Sequence, residues 1–272
     1  MSEFLKAMLV LFVLLGSSVL GLMAHPLLSE RHRSRELTEF VALVLLLLVT
    51  FAALVLGLLT TSVEASYDKV GADLNAISID LIQLDQCLRE WGEETAPIRK
   101  VLRTYTAARI ATTWTDEPKP PGDYDPTKLP TIHGTRLETA VLDQMLTRVE
   151  FGIRELEPRN SMQRRLETTC ISQYQRFMQT RWQLIEESGS SISTPFLVVL
   201  LFWLAVVFTA FGLNAPRNPL AYTTIALAAV SIASVIFVIS ELDQPFQGIF
   251  MVSSQPLRHA LTHLSEDATG GD

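Results

Sequence analysis

From residue 40 to residue 61 the chain runs without one charged side chain. A stretch of that length and purity fits very few surroundings. The hydrocarbon core of a bilayer, about 30 Å thick, is crossed by roughly 20 apolar helical residues, because backbone amides find no water to bond with there. Three more blocks of this kind stand at residues 4–23, 195–213 and 220–240, and Lys6 is the one charge within them. The 48% of hydrophobic residues are thus segregated into blocks, where a soluble core would interleave them with polar ones at helix or strand period. Lipid is the expected solvent.

Each block carries its own detail. The first also fits a secretory signal peptide, but Gly21, Leu22, Met23 and Ala24 lack the small-x-small pattern of a cleavage site. A retained span is therefore expected. Pro195 opens the third block at a position where a missing N–H is no loss. Ala226, Ala228, Ala229, Ser231, Ala233 and Ser234 make the fourth block rich in small residues, which let helix backbones approach closely in lipid. Four spans place both termini on one side.

Beyond Thr61 the chain turns polar and keeps a helical period. Val63, Tyr67, Val70, Leu74, Ile77, Leu81, Leu84, Leu88 and Trp91 repeat at alternating intervals of four and three, a 3.5-residue seam. With no Gly-Pro break after span two, one helix is expected to leave the membrane and end at Gly92. A second amphipathic helix is expected over 95–114, carrying Ile98, Val101, Leu102, Tyr105 and Ala108, and a Pro-rich loop over 116–130. Thr135 and Glu138 form a capping box for a third helix with Leu137, Val141, Met145, Val149 and Ile153, closed by Pro158. The last helix, over 161–188, carries Met162, Leu166, Cys170, Phe177 and Leu184, and Gly189-Ser-Ser loosens the approach to span three. The expectation is an all-α integral membrane protein, four transmembrane helices with a helical bundle inserted between spans two and three. Its parts are 1–61, 62–194, 195–240 and a 241–272 tail with an acidic Pro/Gly turn and a short amphipathic helix.

Several stretches carry a family resemblance. They are Leu-Val-Leu-Gly-Leu-Leu at 54–59 with Ser62 and Asp68, Gly-Glu-Glu-Thr-Ala at 92–96, and Ser188-Gly-Ser-Ser-Ile-Ser running into Pro195-Phe-Leu-Val-Val. Phe211-Gly-Leu-Asn-Ala-Pro-Arg-Asn, Glu241-Leu-Asp-Gln-Pro-Phe-Gln-Gly and Ser253-Ser-Gln-Pro-Leu-Arg complete the set. The chain resembles the bacterial bestrophin-like membrane family. That resemblance implies a distant link to bestrophins, pentameric anion channels with four spans and a helical domain between the second and third. The pore and calcium-binding motifs of bestrophins have no counterpart here, so a channel enters as an analogy of architecture.

The polar residues give two candidate clusters. Glu241, Asp243, Pro245 and Gly248 lie just past span four and fit either a water-filled mouth or an ordinary interfacial end. Asn214, Pro216 and Arg217 form the hairpin between spans three and four, where Arg217 serves either an anion or membrane topology. Ser253 or Ser254 is expected to cap a helix carrying Arg258 and an apolar face suited to the membrane surface. Thr50, Thr209, Thr223, Thr224, Ser231 and Ser234 are among the few polar residues within spans, and each hydroxyl can bond back to its own helix. His25 and His32 have no third ligand nearby to make a metal site. No cofactor is implied.

A net charge of −7 argues against nucleic acid as a partner, and the common catalytic signatures are missing. The expected partners are the lipid bilayer and further copies of the chain. Arg31, Arg33, Arg35 and Arg217 flank the short loops, against Lys6, Lys69 and Arg181 on the other side. By the positive-inside rule this places the helical domain in the periplasm of an inner-membrane protein, whereas a bestrophin keeps it in the cytoplasm. Cys87 and Cys170 fit either a disulfide or two buried thiols. Two functions remain: an oligomeric ion channel, or a non-conducting scaffold or sensor that presents its helical domain to partners. An enzyme ranks behind both.

Overall fold

The computed structural model describes residues 3–24, 35–120, 137–189, 194–216 and 218–266. Among them it contains helices and turns and no strand. The helices are α1 (Glu3–Ala24), α2 (Arg35–Trp91), α3 (Ala96–Thr113), α4 (Leu137–Arg154), α5 (Ser161–Glu187), α6 (Thr194–Asn214), α7 (Pro219–Leu242) and α8 (Gln255–Ser265). Four of them, α1, α2, α6 and α7, are long and apolar enough to cross a membrane. Contacts divide the chain into two compact units, residues 1–68 with 189–251 and residues 69–188 with 252–272. Helix α2 contributes to both.

In the first unit α1 packs on α6 and α7. The crossing of α1 and α6 is a pair of reciprocal glycine notches. A Cβ at Gly21 would overlap the carbonyl oxygen of Thr209, and one at Gly212 would overlap that of Ser18. Backbones can come this close only where both helices lack side chains, the small-residue packing favoured in lipid. Val10, Leu14, Leu200, Leu204, Phe208, Ala229, Ala233 and Ile236 close the core beside it. On α7 the small residues divide: Ala229 and Ala233 are buried, while Ser231 and Ser234 face outward and donate to Leu227 O and Ser231 O.

In the second unit the seam of α2 is buried from Val70 to Trp91, with Leu81, Leu84 and Leu88 wholly enclosed. Each such Leu contributes about 1.5–3 kcal/mol. From Ile77 onward the buried face widens to take in Ser78, Asp80, Asp85 and Cys87. That breadth marks a helix with neighbours on several sides, wider than a two-stranded seam. Its antiparallel partner is α5. Lys69 pairs with Glu187, Thr180 donates to Asp80 at 2.9 Å, and Cys87 is bonded to Cys170. Partners that descend along α5 as they climb along α2 define the packing.

The corner after α2 explains one sequence motif. Gly92 ends the helix at φ +124°, a backbone angle that L side chains rarely adopt. Thr95, fully buried, donates its hydroxyl to Leu88 O at 2.5 Å and to Gly92 O, satisfying carbonyls that the helix end leaves open.

Several expectations need correction. On α4 the buried face runs through Leu142, Leu146, Val149 and Ile153, while Val141 and Met145 sit at its margin. Both rows are apolar at helical spacing, and the larger leucines occupy the core. On α5 Met162 is exposed, and Tyr174, Thr180 and Arg181 join the buried face. Helix α8 does not offer its apolar face to a membrane surface: Leu257, Ala260, Leu261 and Leu264 are buried, and α8 packs on α3. Thr135 and the Pro-rich loop beyond Pro120 lie outside the described residues.

Candidate functional site

Among the described residues no group of three or more His, Cys, Asp or Glu could hold a metal ion. The polar motifs instead tie elements together. Glu241, only 4% exposed, turns its carboxylate back onto the loop after α7 and accepts the N–H of Ile249 at 2.7 Å. Gly248 adopts φ +89°, and a Cβ there would run into the Glu241 carboxylate. Pro245 is buried within the same turn, and Asp243 N donates to Ile239 O to finish α7. The turn is therefore latched shut by a carboxylate–amide hydrogen bond, which a charged acceptor strengthens.

Ser254 and Arg258 serve a second latch. Arg258 Nε reaches Glu117 Oε2 at 3.0 Å and Ser254 Oγ at 2.7 Å, Arg258 Nη2 donates to Pro118 O, and Ser254 also bonds Glu117. Ser254 occupies the cap position of α8 but gives its hydroxyl to Glu117; Ser253 Oγ accepts the N–H of Gln255 instead. Trp114 adds a third tie, donating Nε1–H to Val252 O at 2.8 Å. Asn214 and Pro216 are exposed, with Asn214 Nδ2 bonded to Ala210 O. Arg217, His25 and His32 lie outside the described residues.

The buried polar network of the second unit was missed in the sequence. Asp85, 3% exposed, accepts from Arg89 Nε at 2.5 Å and Arg99 Nε at 2.9 Å, while Arg89 Nη2 reaches His263 O. Arg181 pairs with Asp143 and lies over the Trp182 ring. Tyr174 donates to Leu146 O, and burial first, with Glu150 nearby second, pushes its hydroxyl up to about 12. An Asp, an Arg or a Tyr at a core position breaks the apolar pattern without revealing its partner. Only the spacing of Asp85 and Arg89, one turn apart, offered a signal.

Span two differs from the other three in how little of it is covered. Of its most apolar window 6% is buried, against 22–33% for the other three spans. Between residues 40 and 61 Ala52 alone is deeply buried, while Phe40, Leu43, Leu46, Leu54 and Leu58 are more than half exposed. At about 100° per residue, Thr50, Gly57, Thr61 and Asp68 fall within about 40° of the side opposite Ala52. All four are exposed. The hydroxyls bond back within the helix, Thr50 to Leu46 O and Thr61 to Gly57 O. The same side carries the exposed Leu43, Leu47 and Leu54, so α2 turns a mixed strip of leucines and small, weakly polar residues away from its own subunit's core.

A multi-pass helical membrane protein with this element order belongs to a definite class. The family model for a Bestrophin-like domain matches residues 10–257, and the chain belongs to the bestrophin-like family. In fold it is similar to the crystal structure of a mutant bacterial bestrophin homolog from Klebsiella pneumoniae, with a TM-score of 0.66 over 97% of this chain and 99% of that one. Sequence identity between them is 11%, so the likeness is one of fold. No curated protein sequence matches the chain.

Proposed function

We propose that the protein is a homo-oligomeric ion channel of the bacterial inner membrane, conducting anions, with span two of each copy lining a shared axis. One observation carries the reading: α2 is the span its own subunit covers least, and its uncovered side is the one bearing Thr50, Gly57 and Thr61. Copies arranged around that side would bring Thr50, Gly57 and Thr61 together with Leu43, Leu47 and Leu54 onto the shared axis, a mostly apolar lining of the kind that conducts where it is wide enough to stay wet. Membership of the bestrophin-like family supports the same reading. The test is anion flux from liposomes containing the purified, sized complex. A Cβ at Gly57 meets nothing within 4 Å, so Gly57→Phe fits within the subunit. Gly57→Phe is expected to abolish flux and leave the oligomer's mass unchanged. Full flux from that variant would remove span two from the pore.

The four spans, α1, α2, α6 and α7, would hold the membrane, and the second unit would stand in the periplasm. Two observations support this orientation: the arginines of the short loops, and a disulfide of the kind that persists in oxidising compartments. Alkaline phosphatase fused near residue 125 should be active and near residue 30 inactive. A non-conducting scaffold is the second reading, favoured by the hydroxyls of Thr50 and Thr61, which are spent on their own helix. A stable oligomer without flux would select it.

A further inference from the structure

The turn after α7 presents apolar side chains outward. Ile249 is 74% exposed, the most of any large hydrophobic residue described, and Phe250 is 43% exposed. A flexible loop would fold such side chains inward. This one does not, because it is built to hold them out. Gln244 N bonds Glu241 O, Gln247 N bonds Gln244 O, and Gly248 reverses the chain at a positive φ. The Glu241 carboxylate then fixes the very amide of Ile249. From Gln244 to Leu257 the chain carries no charge. The turn begins directly where α7 ends, and Val235 and Val238 on that span also face outward.

We propose that this turn is a membrane-interface anchor. Ile249 and Phe250 seat in the boundary between lipid headgroups and acyl chains, and Glu241 with Gly248 holds them at that depth. The occupant of the exposed patch is lipid, because the turn follows directly on an apolar span and is uncharged from Gln244 to Leu257, while of the two acidic residues before it Glu241 is buried and Asp243 half-buried at the end of α7. Glu241 is here a positioning residue. It touches no lipid and acts through the amide of Ile249. The inference stands apart from conduction: the anchor would operate in a channel or a scaffold alike.

The described cysteines are paired, so an introduced thiol is the one available for labelling. Ile249→Cys, labelled with an environment-sensitive dye in the full-length protein, is reconstituted into phosphatidylcholine vesicles. Two quenchers are compared: a nitroxide attached near the head of the acyl chain, and aqueous iodide. The anchor predicts blue-shifted emission, quenched by the lipid nitroxide and shielded from iodide. Gln247→Cys, on an exposed polar side chain of the same turn, should show the opposite. Iodide quenching at 249 would overturn the proposal. Shielding from both quenchers would also overturn it, in favour of a second copy covering the patch. Adding Gly248→Ala or Glu241→Ala to the labelled protein should shift quenching from lipid towards iodide. An unchanged signal in both would overturn the positioning role.

Discussion

Where α1 crosses α6, the side chains that would hold the helices apart are missing; where α2 runs beside α5, side chains fill the gap. The first contact rests on Gly21 and Gly212, each against the other helix's carbonyl. The second carries a disulfide, an ion pair and a Thr–Asp hydrogen bond along its length, and Leu74, Leu81 and Leu84 on α2 and Phe177 on α5 are all buried. The solvent accounts for the difference. Lipid tails are as apolar as leucine, so burying leucine between spans gains little, and close backbone approach is what remains. In water, burying leucine drives association, and the helices separate by the width of their side chains. One chain uses both rules, each in its own unit.

The sharpest way to break the comparison is at the notch. Gly212→Leu would force a branched side chain onto the Ser18 carbonyl, and α1 could not close on α6. The expected result is loss of monodisperse protein in detergent, read by size exclusion. Gly57→Leu is the control: its Cβ meets nothing within 4 Å, so it should purify as the wild type does. If the two behave alike, the notch does not define the crossing. On the water-side seam, Leu81→Asp buries an unpaired charge at a position with 0% exposure, expected to cost about 4 kcal/mol. Gln86→Asp, on the exposed side of the same helix, should leave the unfolding midpoint in urea unchanged.

These two regions were unequally legible in the sequence. The spans and the α2 seam follow from composition and period, because a run of apolar residues has few environments open to it. The glycine notches could not be seen. Gly16, Gly21 and Gly57 look alike in a span, and only the partner helix singles out Gly21. The motif from Glu241 to Gly248 was visible as a cluster, but its sense was not. An acidic residue at a span's end suits water as well as a backbone amide, and the hydrogen bond to Ile249 decides between them. Helix α8 misled for a related reason: an amphipathic face specifies an apolar neighbour without saying whether it is lipid or protein. Here α3 supplies it.

Between the seam's apolar contacts and its polar ones, the disulfide has the next largest effect. Closing a loop across 83 residues of sequence separation is worth about 4 kcal/mol on the chain-entropy estimate. The paired substitution Cys87→Ser with Cys170→Ser should lower stability by at most that amount, read as a lower urea midpoint. Reductant should then shift the wild type and leave the double variant unmoved. Equal midpoints for all samples would show that the seam's side chains hold α5 on α2 unaided.

The smallest effect tests whether the seam gains anything from its buried charge. Asp80, 6% exposed, accepts the Thr180 hydroxyl. Burial raises its pKa above the usual carboxylate value, and the Thr180 hydrogen bond and the nearby Arg176 only partly offset this. A raised pKa means the folded protein holds that proton more tightly than the unfolded chain does. The group's contribution is then full below the unfolded pKa and is lost as pH rises through the folded one. Above that raised pKa the ionised, buried carboxylate is a liability. Asp80→Asn keeps an oxygen for Thr180 and removes the charge, so it should stabilise the protein by well under about 1 kcal/mol near pH 7. The gain should vanish under acid conditions, where Asp80 itself is protonated. Thermal melts across that range check both parts. A loss of stability at neutral pH would mean that the Arg176 pairing outweighs burial, and the seam would then depend on its charge as well as its leucines.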